Sequence, residues 1–358
     1  MVKPLIAIAS LGGTITMTTD GSGGIHPTLD VEGLLDSVPA LREVGQLVPE
    51  TLGTLPGASL EFSDLFRVLD WARSAVNNGA SGVVVVQGTD TIEETSYLLD
   101  LYWDKDEPLV VTGAMRAPQT PGSDGPANLL ASALVASAPD SRGLGVLVVM
   151  NDEVHAASRV RKMRASGTNA FKSPSFGPIG YVEEKVITYG SRPRRWPCLV
   201  RRMSDQVPNK MPKVALLEAT LGDDGALLDA ATATGFEGIV IAGFGVGHVS
   251  RGMVQSVDGA VALRPVILAS RTGAGTTLGH TYSFEGSESD LLARGVIGAG
   301  WLDARKARVL LSCLIAGGCT RDGIHSEFAQ RGQLPGGDSI VEKHSFSSSF
   351  KRDRAAHI

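Results

Sequence analysis

Cysteine is scarce in this chain: Cys198, Cys313 and Cys319 are the only three in 358 residues. They form no C-x-x-C pair, and Cys313 and Cys319 have no histidine nearby at ligand spacing. A disulfide framework or a structural zinc site is therefore not expected. Long apolar runs are missing too. No stretch approaches the ~20 continuous apolar residues of a membrane-spanning helix. The opening "MVKPLIAIASLGGT" has an apolar run too short for a signal peptide and ends in Gly-Gly rather than a small-residue cleavage site. A cytoplasmic protein with no membrane partner is the expectation. Nor is there an excess of positive charge. The net charge of −5 argues against a general nucleic-acid surface, and the basic cluster "SRPRRWPCLVRR" (Ser191 to Arg202) reads as a solvated linker. The motifs G-x-x-x-x-G-K-[ST], G-x-S-x-G and H-E-x-x-H are absent, so phosphate-loop, nucleophile-elbow and zinc-protease chemistry have no foothold in the sequence.

What is present is ordinary globular composition, 43% hydrophobic and 20% charged. At 358 residues the chain exceeds the size at which a single core stops growing, so two domains are expected. Strand-like runs alternate with amphipathic helical segments. "PLIAIAS", "GVVVV", "PLVVTGAM" and "GLGVLVVMND" read as strands, while "SDLFRVLDWARSAVNN", "IEETSYLLDLYW" and "ANLLASALVASA" read as helices. Continuous apolar strands separated by helices indicate a parallel sheet covered on both faces. The pattern breaks after Tyr181 and resumes at "KVALLEATLG". The expected organisation is an N-terminal α/β domain over 1–190, a linker over 191–212, a smaller C-terminal α/β domain over 213–331, and a disordered tail over 332–358.

In sheets of this kind the reactive groups lie beyond the carboxyl ends of strands, and four such loops stand out. "SLGGTITMTTDGSGGIHP" follows the first strand, with Gly12 and Gly13 allowing a tight path that leaves Thr14 near the strand end. In "VVVVQGTDTIEET", Thr91 and Glu94 fit a Thr-x-x-Glu capping box and Asp90 suits a helix N-terminus. Capping does not account for Thr89, which would project from the sheet edge. "RVRKMRASGTNAFKSPSFGPIGY" sets Lys162 among Arg159, Arg161 and Arg164, an arrangement that also fits a solvated basic face. "GFGVGHVSRG" has G-x-G spacing, but its third glycine, Gly247, comes one residue too early for a dinucleotide fingerprint.

Together, "LGGTIT", "QGTDTIEET", "GAMR…SDGPANL" and "VMNDEVHAASRVRK" resemble the bacterial-type L-asparaginase/glutaminase family, in order and over most of the chain, with "FKSPSFGPIGY" and "LDARKARVLL" extending the likeness. The resemblance implies a larger N-terminal α/β domain with a parallel or mixed sheet flanked by helices. It also implies a smaller, flavodoxin-like C-terminal α/β domain and a homotetramer whose active sites lie between subunits. It implies hydrolysis of the side-chain amide of a small-molecule amino acid, asparagine and sometimes glutamine, with no cofactor and no metal. Carried onto this chain, Thr14 matches the flexible-loop threonine, and Thr89, Asp90 and Lys162 match the second threonine and its partners. Ser59 matches the contact to the substrate carboxylate, and Asp90 would face its amino group. Ala114, with Thr89, would offer a main-chain N–H to the oxyanion, worth roughly 3 kcal/mol per donor in acyl-transfer enzymes. Glu288 matches an acidic residue reaching in from a neighbouring subunit, and His248 stands where many relatives have asparagine. The chain departs from the family pattern at Leu11 and Gln87, usually threonine and histidine, and at Gly24, where a tyrosine usually partners Thr14.

Overall fold

A computed structural model describes residues 3–19, 25–27, 31–193, 195–199 and 211–333. The tail from 334 onward and residues 200–210 of the expected linker lie outside the described residues. The first twelve strands are β1 (Leu5–Ser10), β2 (Met17–Thr19), β3 (Ile25–Pro27), β4 (Gln46–Thr51), β5 (Gly82–Val86), β6 (Leu109–Thr112), β7 (Val146–Met150), β8 (Glu153–Ala156), β9 (Arg161–Lys162), β10 (Phe171–Lys172), β11 (Gly180–Glu183) and β12 (Val186–Tyr189). Eight of them form one sheet in the order β12-β11-β8-β7-β6-β5-β1-β4. β4, β1, β5, β6 and β7 pair in parallel, as the continuous apolar runs predict; all five residues of β5 are buried. The sheet is nevertheless mixed, because β8, β11 and β12 add antiparallel strands at one edge.

Strand order creates the crevice. The chain leaves β1 for β4 on one side, but leaves β5 for β6 on the other. The loops beyond these two adjacent strands therefore diverge, which opens a cleft at their carboxyl ends. Helices Phe62–Asn77 and Ile92–Tyr102 pack on one face with Val83, Val85 and Val111. Val31–Asp36, Leu41–Val44 and Gly125–Ser137 cover the other with Ile6, Val84 and Val110. One consequence concerns handedness. The crossovers β5 to β6 and β6 to β7 advance in the same direction but lie on opposite faces, so they have opposite hands. Right-handed crossovers being the rule, the β6 to β7 connection is the exception, and its loop (113–124) folds back towards the cleft.

The second sheet is all parallel, β13 (Val214–Glu218), β14 (Gly238–Gly243), β15 (Val266–Ser270) and β16 (Ile297–Gly298), in sequence order. Helix Ala304–Ala316 packs between this sheet and helix Ile92–Tyr102, and one apolar cluster runs through both, from Val83 and Leu98 to Leu310 and Ile267. The two units thus share a core. The basic cluster is not a solvated linker throughout. Arg195 pairs with Asp100 at 3.0 Å, and Leu199 is buried with its N–H donating to the Leu101 carbonyl. No helix among the described residues is long and apolar enough to cross a membrane.

Candidate active site

Four loops meet backbone to backbone at the cleft, and glycines make the approach possible. A Cβ on Gly13 would lie 2.2 Å from the Gly88 nitrogen, and one on Gly88 would lie 2.6 Å from the Gly57 nitrogen. Gly13 also has φ +94°, a conformation costly for any residue with a side chain. A Cβ on Gly113 would strike the Gln87 carbonyl and crowd the Thr89 methyl. The loops after β1, β4, β5 and β6 are therefore stacked on one another. The stack gathers Thr14, half-buried at the start of a 3-10 turn, exposed Ser59, buried Thr89, exposed Asp90 and buried Ala114.

Lys162 comes from further along the chain. It sits on the β9–β10 hairpin, and its Nζ reaches Thr89 Oγ1 at 2.9 Å and Asp90 Oδ1 at 2.8 Å. The lysine side chain is 16% exposed and the aspartate 61%, so the amine is shielded while its counter-charge faces solvent. A hydroxyl, an amine and a carboxylate in a hydrogen-bonded chain can pass a proton along it and raise the reactivity of an otherwise weak hydroxyl nucleophile.

The capping-box expectation fails at Thr91 and Glu94. Thr91 is the residue before helix Ile92–Tyr102 but makes no side-chain cap. Its hydroxyl instead donates to the Gly57 carbonyl at 2.9 Å and accepts from Gln87 Nε2 at 3.3 Å. The loop after β4 needs a partner for its buried carbonyl more than the helix needs a cap, because its backbone is wedged against Gly88. A capping box does occur one helix earlier, between Glu61 and Asp64. Gln87 is fully buried and bridges Thr91 and the Gly88 carbonyl.

His248 and Glu288 form a separate cluster in the second unit. His248 closes a tight loop after β14 through paired main-chain bonds with Phe244, a geometry unlike a phosphate-binding turn. Glu288 is fully buried; its Oε1 accepts from the Thr281 and Tyr282 N–H groups at 2.9 and 2.7 Å, and its Oε2 lies 3.3 Å from His248 Nδ1. Burial pushes this carboxyl upward, but the two amides and His248 outweigh it and hold it below the ordinary range. Tyr282 and Phe284 crowd the imidazole, each ring 5.0 Å from it. Among the described residues no group of three or more His, Cys, Asp and Glu side chains is placed to hold a metal ion.

Residues 5–195 match the family model described as Asparaginase, N-terminal, and residues 213–328 match that of the Glutaminase/Asparaginase C-terminal domain. The chain belongs to the asparaginase family. Among its asparaginase relatives is the L-asparaginase of Bacillus licheniformis, 31% identical over 325 residues, covering 90% of this chain and 98% of the relative. L-asparaginase 2 of Bacillus subtilis (strain 168) is 32% identical, covering 86% of this chain and 81% of the relative. A crystal structure of a probable cytoplasmic L-asparaginase from Campylobacter jejuni superposes with a TM-score of 0.83 at 28% identity, covering 91% of this chain and 99% of that one.

Further residues shape this asparaginase-family cleft. Asp124 accepts from the Met115 and Arg116 N–H groups, and Asn128 donates to the Gly113 carbonyl and to Asp124 while accepting from Asn151 N–H. Both are buried, and together they hold the loop that carries Ala114. Their spacing of four at a helix start was the available signal, and "SDGPANL" contains it. Glu93, within the quoted "QGTDTIEET", accepts from the Lys162 main-chain N–H at 3.1 Å. Nothing local in the sequence marks that contact.

Proposed function

We propose that this protein hydrolyses the side-chain amide of L-asparagine to L-aspartate and ammonia through a threonine-linked acyl-enzyme. The observation that carries the reading is the Thr89–Lys162–Asp90 chain, at 2.9 and 2.8 Å, set in the cleft between β1 and β5. Thr14 Oγ attacks the amide carbon, the tetrahedral adduct expels ammonia with a transferred proton, and a β-aspartyl ester remains on Thr14. Water then attacks the ester and regenerates the hydroxyl. Thr89 and Lys162 relay protons and activate the water, and Asp90 anchors the lysine amine and faces the substrate amino group. Ser59 holds the α-carboxylate. The main-chain N–H groups of Thr89 and Ala114 are the oxyanion donors of this scheme.

Thr14→Ala and Thr89→Ala, assayed separately for ammonia release from asparagine, are expected to lose about a hundredfold or more in kcat. Near wild-type turnover in both variants sinks the scheme. Assays with glutamine and D-asparagine define the substrate range. We further propose a homotetramer in which a neighbour presents the loop around His248 to the cleft; Glu288, fully buried in its own subunit, braces that loop from within and does not itself reach out. A fully active monomer on gel filtration removes that arrangement. We assign the protein to the cytoplasm, consistent with three free cysteines, two of them buried.

A further inference from the structure

The hairpin that carries Lys162 is a weak support by itself. β9 and β10 are two residues each, paired only as Phe171 with Lys162 and Lys172 with Arg161. The amine must nevertheless meet Thr89, 73 positions away in sequence. Two further contacts grip the main chain on either side of Arg161, and both begin in the first turn of helix Ala304–Ala316 of the second unit. On one side, fully buried Lys306 donates from Nζ to the Val160 carbonyl at 2.5 Å, its charge balanced by Asp303 at 2.8 Å. On the other side, the Lys162 N–H donates to Glu93 Oε2 at 3.1 Å, and Glu93 Oε1 accepts from Arg305 at 2.8 Å.

Arg305 is 44% exposed, whereas the Glu93 side chain is 4% exposed. The arginine is thus a cation from the second unit that balances a carboxylate buried in the first. Without it, Glu93 would hold an uncompensated buried charge and would have to move towards water. The acceptor of the Lys162 N–H would move with it.

We propose that Arg305, acting through Glu93, is a positioning residue for Lys162, so that the second unit sets where the lysine amine stands relative to Thr89. The inference rests on the reading of Lys162 as the proton-handling lysine. Arg305 touches no reacting atom. Displacements of about an ångström in a catalytic group cost on the order of a hundredfold in rate, so the lever is large compared with its distance from the chemistry.

The test uses the full chain and two readouts. Arg305→Met is expected to lower kcat for ammonia release by roughly tenfold to a hundredfold, with KM within about threefold of wild type. Hydrogen exchange in the peptide covering Val160 to Met163 is expected to quicken. Arg305→Lys, which keeps a cation facing Glu93, is expected to restore most of kcat and the protection. Unchanged exchange in Arg305→Met overturns the proposal, and so does faster exchange with unchanged kcat. A fall in kcat that only follows loss of folded protein overturns it as well. If Arg305→Met does not fold, Glu93→Leu combined with Arg305→Met removes the buried charge together with its partner and carries the same expectations. Lys162→Met, run in parallel, separates two kinds of failure. Turnover surviving in that variant refutes the catalytic reading of the lysine, while the exchange data still decide whether Arg305 and Glu93 hold its main chain.

Discussion

The parallel strands of both sheets end in polar clusters, and the clusters differ in what their charges are left to do. Beyond β5, Lys162 bridges Thr89 and Asp90, and the aspartate stays largely in solvent. Beyond β14, His248 meets Glu288, which is fully buried with one oxygen tied to two amides and the other against that imidazole. The first cluster has a hydroxyl and an amine that can exchange a proton with an incoming group. The second is a pinned anion that braces the segment around Thr281 and Tyr282. Position at a strand end does not by itself leave a group free to exchange a proton; the partner brought from elsewhere in the chain decides that.

The largest way to test this contrast is to remove the partner. Lys162→Met is expected to lower kcat by about a thousandfold while leaving the midpoint of thermal unfolding nearly unchanged, because the released Asp90 is already exposed. A large loss of stability with modest loss of rate would make the first cluster a brace like the second. Next comes the loop stack. Gly13→Ala meets backbone at 2.2 Å with φ +94°, so a cost of about 3 kcal/mol in urea unfolding is expected, with activity lost alongside. Unimpaired stability would mean that the loops beyond β1 and β5 are not held together by their glycines.

The second cluster is probed by pH. The Glu288 carboxyl lies below its ordinary value in the folded chain, so its ionised form stabilises the fold above the unfolded pKa of about 4.3. That contribution is lost as pH falls through the lower, folded value. Glu288→Gln should consequently be less stable than wild type at pH 7, with the gap closing below about pH 4 in thermal melts. A gap independent of pH would show that shape rather than charge sets the brace. The smallest effect is expected at Thr91. Thr91→Val strands the Gly57 carbonyl at a cost of about 1 kcal/mol, and KM should rise through the neighbouring Ser59 turn, whereas Thr91→Ser should be close to wild type. A Thr91→Val variant with normal KM would separate the latch from substrate binding.

Much of the architecture was legible because its signals are local. "GVVVV" and "GLGVLVVMND" became buried parallel strands, and "IEETSYLLDLYW" became a helix. β4 lacks a strand pattern in the sequence. "QLVPET" has a proline in its middle and largely exposed side chains, which an edge strand tolerates and a local pattern does not advertise. Helix Val254–Leu263 carries a glycine that weakens its local signal, and the antiparallel strands β8, β11 and β12, four residues each, are too short to give one. Thr91 departs from the capping expectation because a Thr-x-x-Glu spacing carries no information about a carbonyl from another loop.

The sequence by itself determined which groups are available: two threonines placed by glycines at strand ends, an aspartate beside one of them, and a lysine in a basic hairpin. These follow from short-range rules of backbone conformation and strand periodicity. Only the tertiary structure decided which of them meet. Strand order places the loops of β1 and β5 side by side, packing carries Lys162 across 73 positions to Thr89, and the shared core brings Arg305 to Glu93 across 212. Contacts of that span depend on how sheets and helices stack, because a residue's near neighbours in sequence exert no force that could select a partner so far along the chain.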